Sequence, residues 1–469
     1  RRSSDLPFVI IGGGASGLAA AITAARLLKP RRIGPVVVLE RLDRVGKKLL
    51  ATGNGRCNLT NTDTGLERYH GRDTRFAMGA LKRMDSESTI HFFRELGMLC
   101  RTEEDGRVFP YSLQANTVLD TLRQAATDLD VELRTGFDVS TIQPTQPLFI
   151  GNNPLNVASG FDLFSEKGEH LHATKVLVAA GGCASPALGS NGSGFRLLTE
   201  LGHEWVEPLP AIVQITTETT LTRPLTGIKV QGRARLYENQ SEIATEDGEI
   251  LFTEYGLSGP PILNLARLVS ERIAKTPMHI VLDLMPEYDE PALSTLLAEF
   301  AGASSSLTVA DCLNGLLHKK LAQIVVRQAL DRSLTDLART LTREDRRLLA
   351  AMVKNLPFKV TGTRGFAFAQ TTAGGIATAG FRPDTLESRT VPGLYAAGEV
   401  LDIDGDCGGF NLQWAWSSGC LAGRKAAETL IREATDGGRH ADMEKQFRSA
   451  IKGRRNDPDP GGPRSKSRP

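Results

Sequence analysis

The sequence predicts an α/β protein: a three-layer βαβ domain whose two halves lie at opposite ends of the chain, with a separate insert between them. Three observations carry this reading. A glycine-rich turn, Gly12 to Gly17, stands between an apolar strand and a helix of small residues. The character of the chain changes after Pro208, and the glycine-rich, β-like texture of the first part returns from Phe366. The expected divisions are 1–207 and 361–434 for the two halves, 208–360 for the insert and 435–469 for a basic, largely disordered tail.

In chain order, Phe8 to Ile11 reads as a strand, residues up to about Leu28 as a small-residue helix, and Val36 to Glu40 as a second strand. Helical patterning resumes around Phe76 to Leu96 and Asn116 to Leu129. Short alternating strands then run from Val131 to Val178 as a meander. Residues 212–255 are β-like, with a hairpin expected around Glu246-Asp247-Gly248-Glu249, because Asp-Gly supplies the positive φ of a tight turn. Residues 260–355 read as mostly helical, with one strand at Met278 to Leu284, and the chain closes with a helix from about Trp414 to Ala434.

Bulk properties narrow the class. A chain of 469 residues exceeds what one core holds, and 41% hydrophobic with 23% charged residues is an ordinary globular balance. No apolar run is long enough to span a bilayer, and Arg1-Arg2 before Phe8 lacks the flanks of a secretory signal, so a cytoplasmic location and no membrane partner are expected. Six scattered cysteines without a C-x-x-C pair argue against structural zinc and against a disulfide redox centre. A net charge of +2 gives no global field for nucleic acid, and none is expected as a partner. The tail from Asp436 to Pro469, with 9 Lys/Arg against 5 Asp/Glu, is the local exception.

Gly12-Gly13-Gly14-Ala15-Ser16-Gly17 is G-x-G-x-x-G in the strand-to-helix context that makes the pattern specific for a Rossmann-like dinucleotide cradle. Gly12 permits the turn, Gly14 lets backbone approach a diphosphate, and Gly17 lets the helix lie on the sheet. The anion rests on free N–H groups at the positive end of the helix dipole, next to Ser16. Glu40, 28 residues after Gly12, ends the second strand where a carboxylate accepts from ribose hydroxyls. Arg41 beside it is a further candidate contact. None of this separates NAD from FAD.

The other end of the chain does. Thr390 to Glu399 resembles the second flavin fingerprint of the glutathione-reductase-type flavoproteins, in which a strand delivers a Gly-acid pair, here Gly398-Glu399, to the ribityl and phosphate region. Most members carry Asp at that acid. Val176 to Gly182 resembles the intermediate glycine strand of the same group, with Gly181 close to the cofactor, and Val139 stands where such proteins place an apolar residue against adenine. The cofactor implied is FAD.

Longer motifs support a narrower resemblance. Ala51-Thr52-Gly53-Asn54-Gly55-Arg56-Cys57-Asn58-Leu59-Thr60-Asn61, preceded by Arg44-Val45-Gly46-Lys47-Lys48, is similar to the signature of the BaiN-like bacterial NAD(P)/FAD-dependent oxidoreductases. Arg107 to Pro110, Leu251-Phe252-Thr253 with Gly256 to Pro260, and Gly398 to Asp402 running into Gly408 to Gln413 match as well, so the likeness spans about residues 8–430. It implies an FAD domain interrupted by a small β-barrel (about 208–285) and a helical part (about 286–356). It also implies site residues Gly46, Lys47, Gly55, Arg56, Cys57, Asn58, Gly409, Asn411 and Leu412. The chain departs from the family pattern at Ser193, where an acid is usual, and at Glu254, where many members carry His.

Gly408-Gly409 with Asn411 is the expected first wall of the flavin pocket and Asn54 to Asn58 the second, with a helix-start N–H near the ring. Arg56 is open between a phosphate contact, a substrate-carbonyl contact and a structural role. Cys57 and Cys407 are read as small buried hydrophobes, Asp402, Asp404 and Asp406 as a solvated turn with no metal, Trp414 and Trp416 as packing, and Tyr255 as a candidate general acid. No catalytic residue is assigned beyond these. The expected activity is hydride transfer through FAD to or from a small or hydrophobic organic substrate, by family analogy an enone-like double bond. With a single dinucleotide fingerprint, NAD(P)H docks only transiently as electron donor. The alternatives are a flavin oxidase using O2 and an RNA-partnering flavoprotein resembling the tRNA-modifying FAD enzymes.

Overall fold

The computed structural model describes residues 7–63, 65–145, 149–150, 153–154 and 160–454, with side chains for all of these except 149–150, 153–154 and 437–454. Phe8–Ile11 (β1), Val36–Glu40 (β2), Glu132–Thr135 (β3), Lys175–Val178 (β4) and Leu394–Ala396 (β5) form one parallel sheet in the order β5-β4-β1-β2-β3. The register puts Val9 beside both Val176 and Val37, and Leu177 beside Tyr395. Both faces of the central strands are covered, which is why they read as unbroken apolar runs: Phe8, Val9, Ile10, Val176, Leu177 and Val178 are all fully buried.

The N-terminal helix Ala15–Leu28 (α1) packs against the C-terminal helix Phe410–Arg454 (α2), and small residues make the approach possible. A Cβ on Gly419 would lie 2.2 Å from the Ser16 carbonyl oxygen, and one on Gly423 would lie 2.3 Å from that of Ala20. The two glycines sit four residues apart on one helix, opposite two small residues four apart on the other, so one turn of each backbone meets the next without side chains between them. This contact brings the two ends of the chain together.

The second body is a closed six-stranded barrel in the order Ile215–Thr217, Gly256–Ser258, Ser241–Thr253, Lys229–Glu238, Met278–Asp283 and Leu356–Thr363. Its interior of Ile215, Leu236, Ile250, Phe252, Leu257, Ile280, Leu282 and Phe358 is continuous with the apolar faces of Glu290–Gly302, Lys319–Ala329 and Arg343–Lys354. The barrel is closed from beyond the helices: its sixth strand, Leu356–Thr363, lies after them in sequence, outside 208–285. A two-stranded antiparallel ribbon, Trp205–Ala211 with Thr371–Ile376, carries the chain into and out of this body.

Several sequence expectations change. The hairpin does not turn at Glu246 to Glu249. Ser241–Thr253 runs straight through, with Asp247 opposite Arg233 and Gly248 opposite Gly232. Arg233 holds Asp247 by two bonds of 2.7 and 3.0 Å, and the turn falls at Asn239, φ 54°, a residue type that tolerates the left-handed region. The helix expected over Phe76 to Leu96 is broken at Asp85, whose side chain caps a new helix, Ser86–Glu95, by accepting from the Ser88 N–H. Of the expected meander, Glu132–Thr135 and Lys175–Val178 join the parallel sheet, and Val139–Pro144, Phe161–Ser165 and His170–Ala173 form a three-stranded antiparallel sheet. Helix α2 starts at Phe410 and continues to Arg454, past Ala434 and into the expected tail. The tail's last part, 455–469, lies outside the described residues. No described helix is long and apolar enough to cross a membrane.

Candidate functional site

A cavity of about 1130 Å³ runs along the seam between the two bodies, somewhat larger than the pockets that hold drug-sized ligands. One end is the glycine turn. Leu18 N–H returns to the Gly14 carbonyl, so the N–H groups of Ala15, Ser16 and Gly17 have no acceptor within the helix. The three glycines differ in what confines them. A Cβ on Gly12, φ +108°, would lie 2.4 Å from the Ala179 carbonyl oxygen, and one on Gly17 would lie 1.9 Å from that of Gly12. A Cβ on Gly14 meets no protein atom within 4 Å, so the space it leaves belongs to the cavity.

Glu40 lines the same end. Its carboxylate accepts from Gly13 N–H at 3.0 Å and Leu42 N–H at 2.8 Å, which fixes its orientation and leaves further lone pairs for a ligand. Lys48 and Glu399 lie farther along, 2.8 Å apart, and Glu399 also accepts from the Thr372 N–H at 3.0 Å. Beyond them Gly408, Gly409 and the start of α2 form one wall. Gln413 N–H bonds the Gly409 carbonyl, leaving the N–H groups of Phe410, Asn411 and Leu412 outside the helical ladder. A Cβ on Gly409, φ +106°, would lie 2.6 Å from the Thr60 carbonyl oxygen and 2.8 Å from Asn58 Oδ1, a buried acceptor with no hydrogen-bond partner among the described residues.

Thirteen of the expected cofactor residues come together on this cavity: Gly12, Gly14, Ser16, Glu40, Gly46, Lys47, Arg56, Asn58, Gly181, Glu399, Gly409, Asn411 and Leu412. Six are not on its lining. Gly17 and Gly398 serve helix packing, the latter with a Cβ position 2.6 Å from Ser16 Oγ. Arg41 turns to the Gly189 carbonyl at 3.2 Å, Gly55 lies exposed in its loop, Val139 is 3% exposed, and Cys57 is wholly buried. Burial pushes the Cys57 thiol up to about 12 and raises that of Cys407, so neither is a thiolate near neutral pH.

Two lining side chains are already committed. Asn411 accepts from Gly405 N–H at 2.9 Å and donates to the Gly405 carbonyl at 2.7 Å, so its amide holds the preceding loop. Arg56 stacks 4.4 Å from the Phe109 ring centre and pairs with Glu103 at 3.3 Å.

The acidic run is not a solvated turn. Asp402 and Asp404 are each 1% exposed. Arg267, on a helix of the second body, pairs with Asp404 at 3.1 Å, and the Arg72 N–H donates to Asp402 at 3.0 Å. Asp406 pairs with His70 at 2.7 Å. Burial raises Asp404 to about 6 despite the guanidinium beside it. Among the described residues no group of His, Cys, Asp and Glu could hold a metal ion. Trp414 and Trp416 are packed in the core, donating to the carbonyls of Gly398 and Leu59. Tyr255 lies off the cavity, with the Arg364 guanidinium 4.3 Å from its ring centre. Neither Ser193 nor Glu254 lines the cavity.

The far wall comes from the barrel strands through Lys229, Glu249 and Leu251, from the helix Pro260–Arg272 through Pro260 and Leu263, and from Ile212, Gln214 and Gln370 beside them; the sequence reading placed none of these in the site. Leu251 and Pro260 stand in segments that match the family pattern, and no local motif marks the others. Lys48 was legible only as the neighbour of Lys47.

The HI0933-like protein Rossmann domain family matches residues 6–425. The chain is 35% identical over 420 residues to the 3-dehydro-bile acid delta(4,6)-reductase of Clostridium scindens, covering 89% of this chain and 98% of that protein. It is 27% identical to the ribosomal RNA dihydrouridine synthase of Haemophilus influenzae, over 87% of this chain and 96% of the relative. To the enzyme of the same name from Escherichia coli it is 28% identical, over 87% and 95%. With its end-to-end match, its parallel sheet and its glycine cradle, the chain belongs to the HI0933-like family of Rossmann-domain, FAD-binding oxidoreductases.

Proposed function

We propose that the protein is an FAD-dependent reductase that moves hydride from NAD(P)H to the conjugated carbon–carbon double bond of a ring-shaped organic substrate, a proton from solvent completing the reduction; the substrate would sit between bound FAD and the barrel. The observation that carries this is the single cavity, which begins at Gly14, passes the start of α2 and is walled beyond it by the barrel. A long cofactor and a second molecule would lie end to end in that arrangement.

FAD, when bound, supplies the hydride chemistry, and the protein supplies binding, orientation and exclusion of water. The vacant Cβ direction at Gly14 and the unpartnered Asn58 Oδ1 fit such an occupant. The N–H groups of Ala15, Ser16 and Gly17 would hold the diphosphate, and Glu40 the adenosine ribose. The Lys48–Glu399 pair would flank the ribityl chain. The free N–H groups at Phe410 to Leu412, at the positive end of α2, favour negative charge placed against them. Leu251 of the barrel and Pro260 and Leu263 of the helix that follows it would give the substrate end an apolar wall. Anaerobic stopped-flow mixing with NADH and with NADPH tests the reading: bleaching of the flavin band within a turnover time is expected, and no bleaching by either donor defeats it, leaving an oxidase or a different electron donor.

One surface feature favours a second reading, an RNA substrate. Arg364 is stacked between Tyr255 and Phe368, at 4.3 and 3.4 Å from the ring centres, and Phe368 is 47% exposed. Arginine–aromatic stacks are platforms for unpaired bases. The ribosomal RNA dihydrouridine synthases among the relatives act in the same direction. A salt-sensitive mobility shift with unstructured RNA, weakened in Phe368→Ala, would support it, and no shift at low salt would remove it.

A further inference from the structure

The chain crosses from the connecting ribbon into the barrel through three residues, Ile212, Val213 and Gln214, and two of them carry unusual features on the cavity wall. Ile212 has φ +47°. A β-branched side chain in the left-handed region is strained, because its Cβ substituents crowd the backbone, and such strain persists only where the surroundings impose it. Here they do: the Gln370 N–H donates to the Ile212 carbonyl at 3.1 Å, and the Arg364 N–H donates to that of Gln214 at 3.1 Å. Val213 between them is fully buried. The backbone is therefore pinned on both sides of the strained residue.

Gln214 Oε1 is buried and has no hydrogen-bond partner among the described residues. An orphaned amide in a protein interior is costly unless something else completes it. The charged side chains on the same wall are already neutralised within the protein, Lys229 by Glu249 at 2.8 Å and Asp247 by Arg233 at 2.7 Å. The polar capacity left open on the barrel side is thus an uncharged carboxamide. Across the cavity Asn58 offers another.

We propose that Ile212–Gln214 is the substrate-recognition element of this cavity, in which the strained backbone at Ile212 aims the Gln214 carboxamide oxygen at an uncharged hydrogen-bond donor of the substrate, such as a ring hydroxyl. This rests on the functional reading above and adds to it the class of group that is read and the residue that reads it. A carboxamide oxygen accepts from a hydroxyl or a lactam N–H without the desolvation that a charged partner imposes. Gln214 is a contact residue and Ile212 a positioning residue.

The test uses FAD-loaded protein and a ring-hydroxylated 3-oxo-4-ene bile acid as probe, followed by the perturbation of the flavin absorbance on titration and by kcat and KM with NAD(P)H. Gln214→Leu, with Gln214→Met as a linear isostere against packing artefacts, is expected to weaken the probe's dissociation constant and raise KM roughly tenfold or more, with FAD content unchanged. Ile212→Gly, which frees the backbone, is expected to raise KM in the same way, again with full FAD content. Probe binding within twofold of wild type in both Gln214 variants overturns the assignment while leaving the reductase standing. A wild-type protein that neither binds nor reduces the probe sinks the functional reading, and the assignment with it.

Discussion

Lys48 Nζ lies 2.8 Å from Glu399 Oε2, joining residues 351 positions apart in the wall of one cavity. Glu399 Oε1 accepts from the Thr372 N–H, and Thr372 Oγ1 accepts from the N–H groups of Cys183 and Ala184. Four separate segments are thereby linked through one carboxylate and one threonine hydroxyl. Lys48→Met and Glu399→Gln are each expected to weaken FAD retention. Both side chains keep about a fifth to a quarter of their surface in water, so the double-mutant cycle should show coupling of only about 1.5 kcal/mol. Chemical denaturation of the four proteins, with FAD content read from absorbance, measures it.

The glycine turn separates ligand space from fold space. Gly14→Ala places a methyl group where no protein atom lies within 4 Å, at an ordinary φ of −81°. The protein should fold with the thermal stability of FAD-free wild type and lose its yellow colour. Gly17→Ala drives a Cβ to 1.9 Å from the Gly12 carbonyl oxygen and should cost about 1 to 3 kcal/mol of stability. A Gly14→Ala protein with normal FAD content would contradict the assignment of the diphosphate site.

Helix α2 must lie directly on α1 for the two ends of the chain to share one site. Gly419→Val forces a side chain into the Ser16 carbonyl, 2.2 Å from the Cβ position. A loss of about 1 to 3 kcal/mol is expected, together with weaker FAD binding, because α1 is displaced at its N-terminal turn. Thermal melts with and without added FAD distinguish the two effects; a variant as stable as wild type would show that the helices can separate at no cost.

Asp404 gives the protein a pH signature. Burial raises its folded-state value from 3.8 to about 6, so between those values the folded state binds the proton more tightly than the unfolded chain does. Its contribution favours folding below about pH 4, declines as pH rises towards 6 and is constant above that. Urea midpoints for wild type and Asp404→Asn across pH 4 to 7 should diverge in slope within that window. Parallel curves would mean that the Arg267 guanidinium compensates the burial fully.

Much of the Rossmann half was legible because its signals are local. Phe8 to Ile11 and Val36 to Glu40 are apolar runs bounded by turn residues, and the glycine spacing records a backbone that must approach another backbone. Where two local signals competed, reading by proximity failed. Asp247-Gly248 looked like a turn, but the long ladder to Lys229–Glu238 won and the chain turned at Asn239. The aspartates at 402, 404 and 406 looked solvated, because the partners that permit their burial, Arg72, His70 and Arg267, are remote in sequence.

By itself the sequence determined the glycine cradle, the strand–helix–strand unit around it and the recurrence of a flavin-type segment near residue 400, since each depends on side-chain size and periodicity over a few consecutive residues. Only the tertiary structure decided which residues face the far side of the cavity. Ile212 and Gln214 are held there by the pairing of the next strand, Ile215–Thr217, with Leu356–Thr363, a contact between residues far apart in sequence. Such pairing is set by the burial of two whole surfaces against each other and leaves no mark in the composition of any single segment.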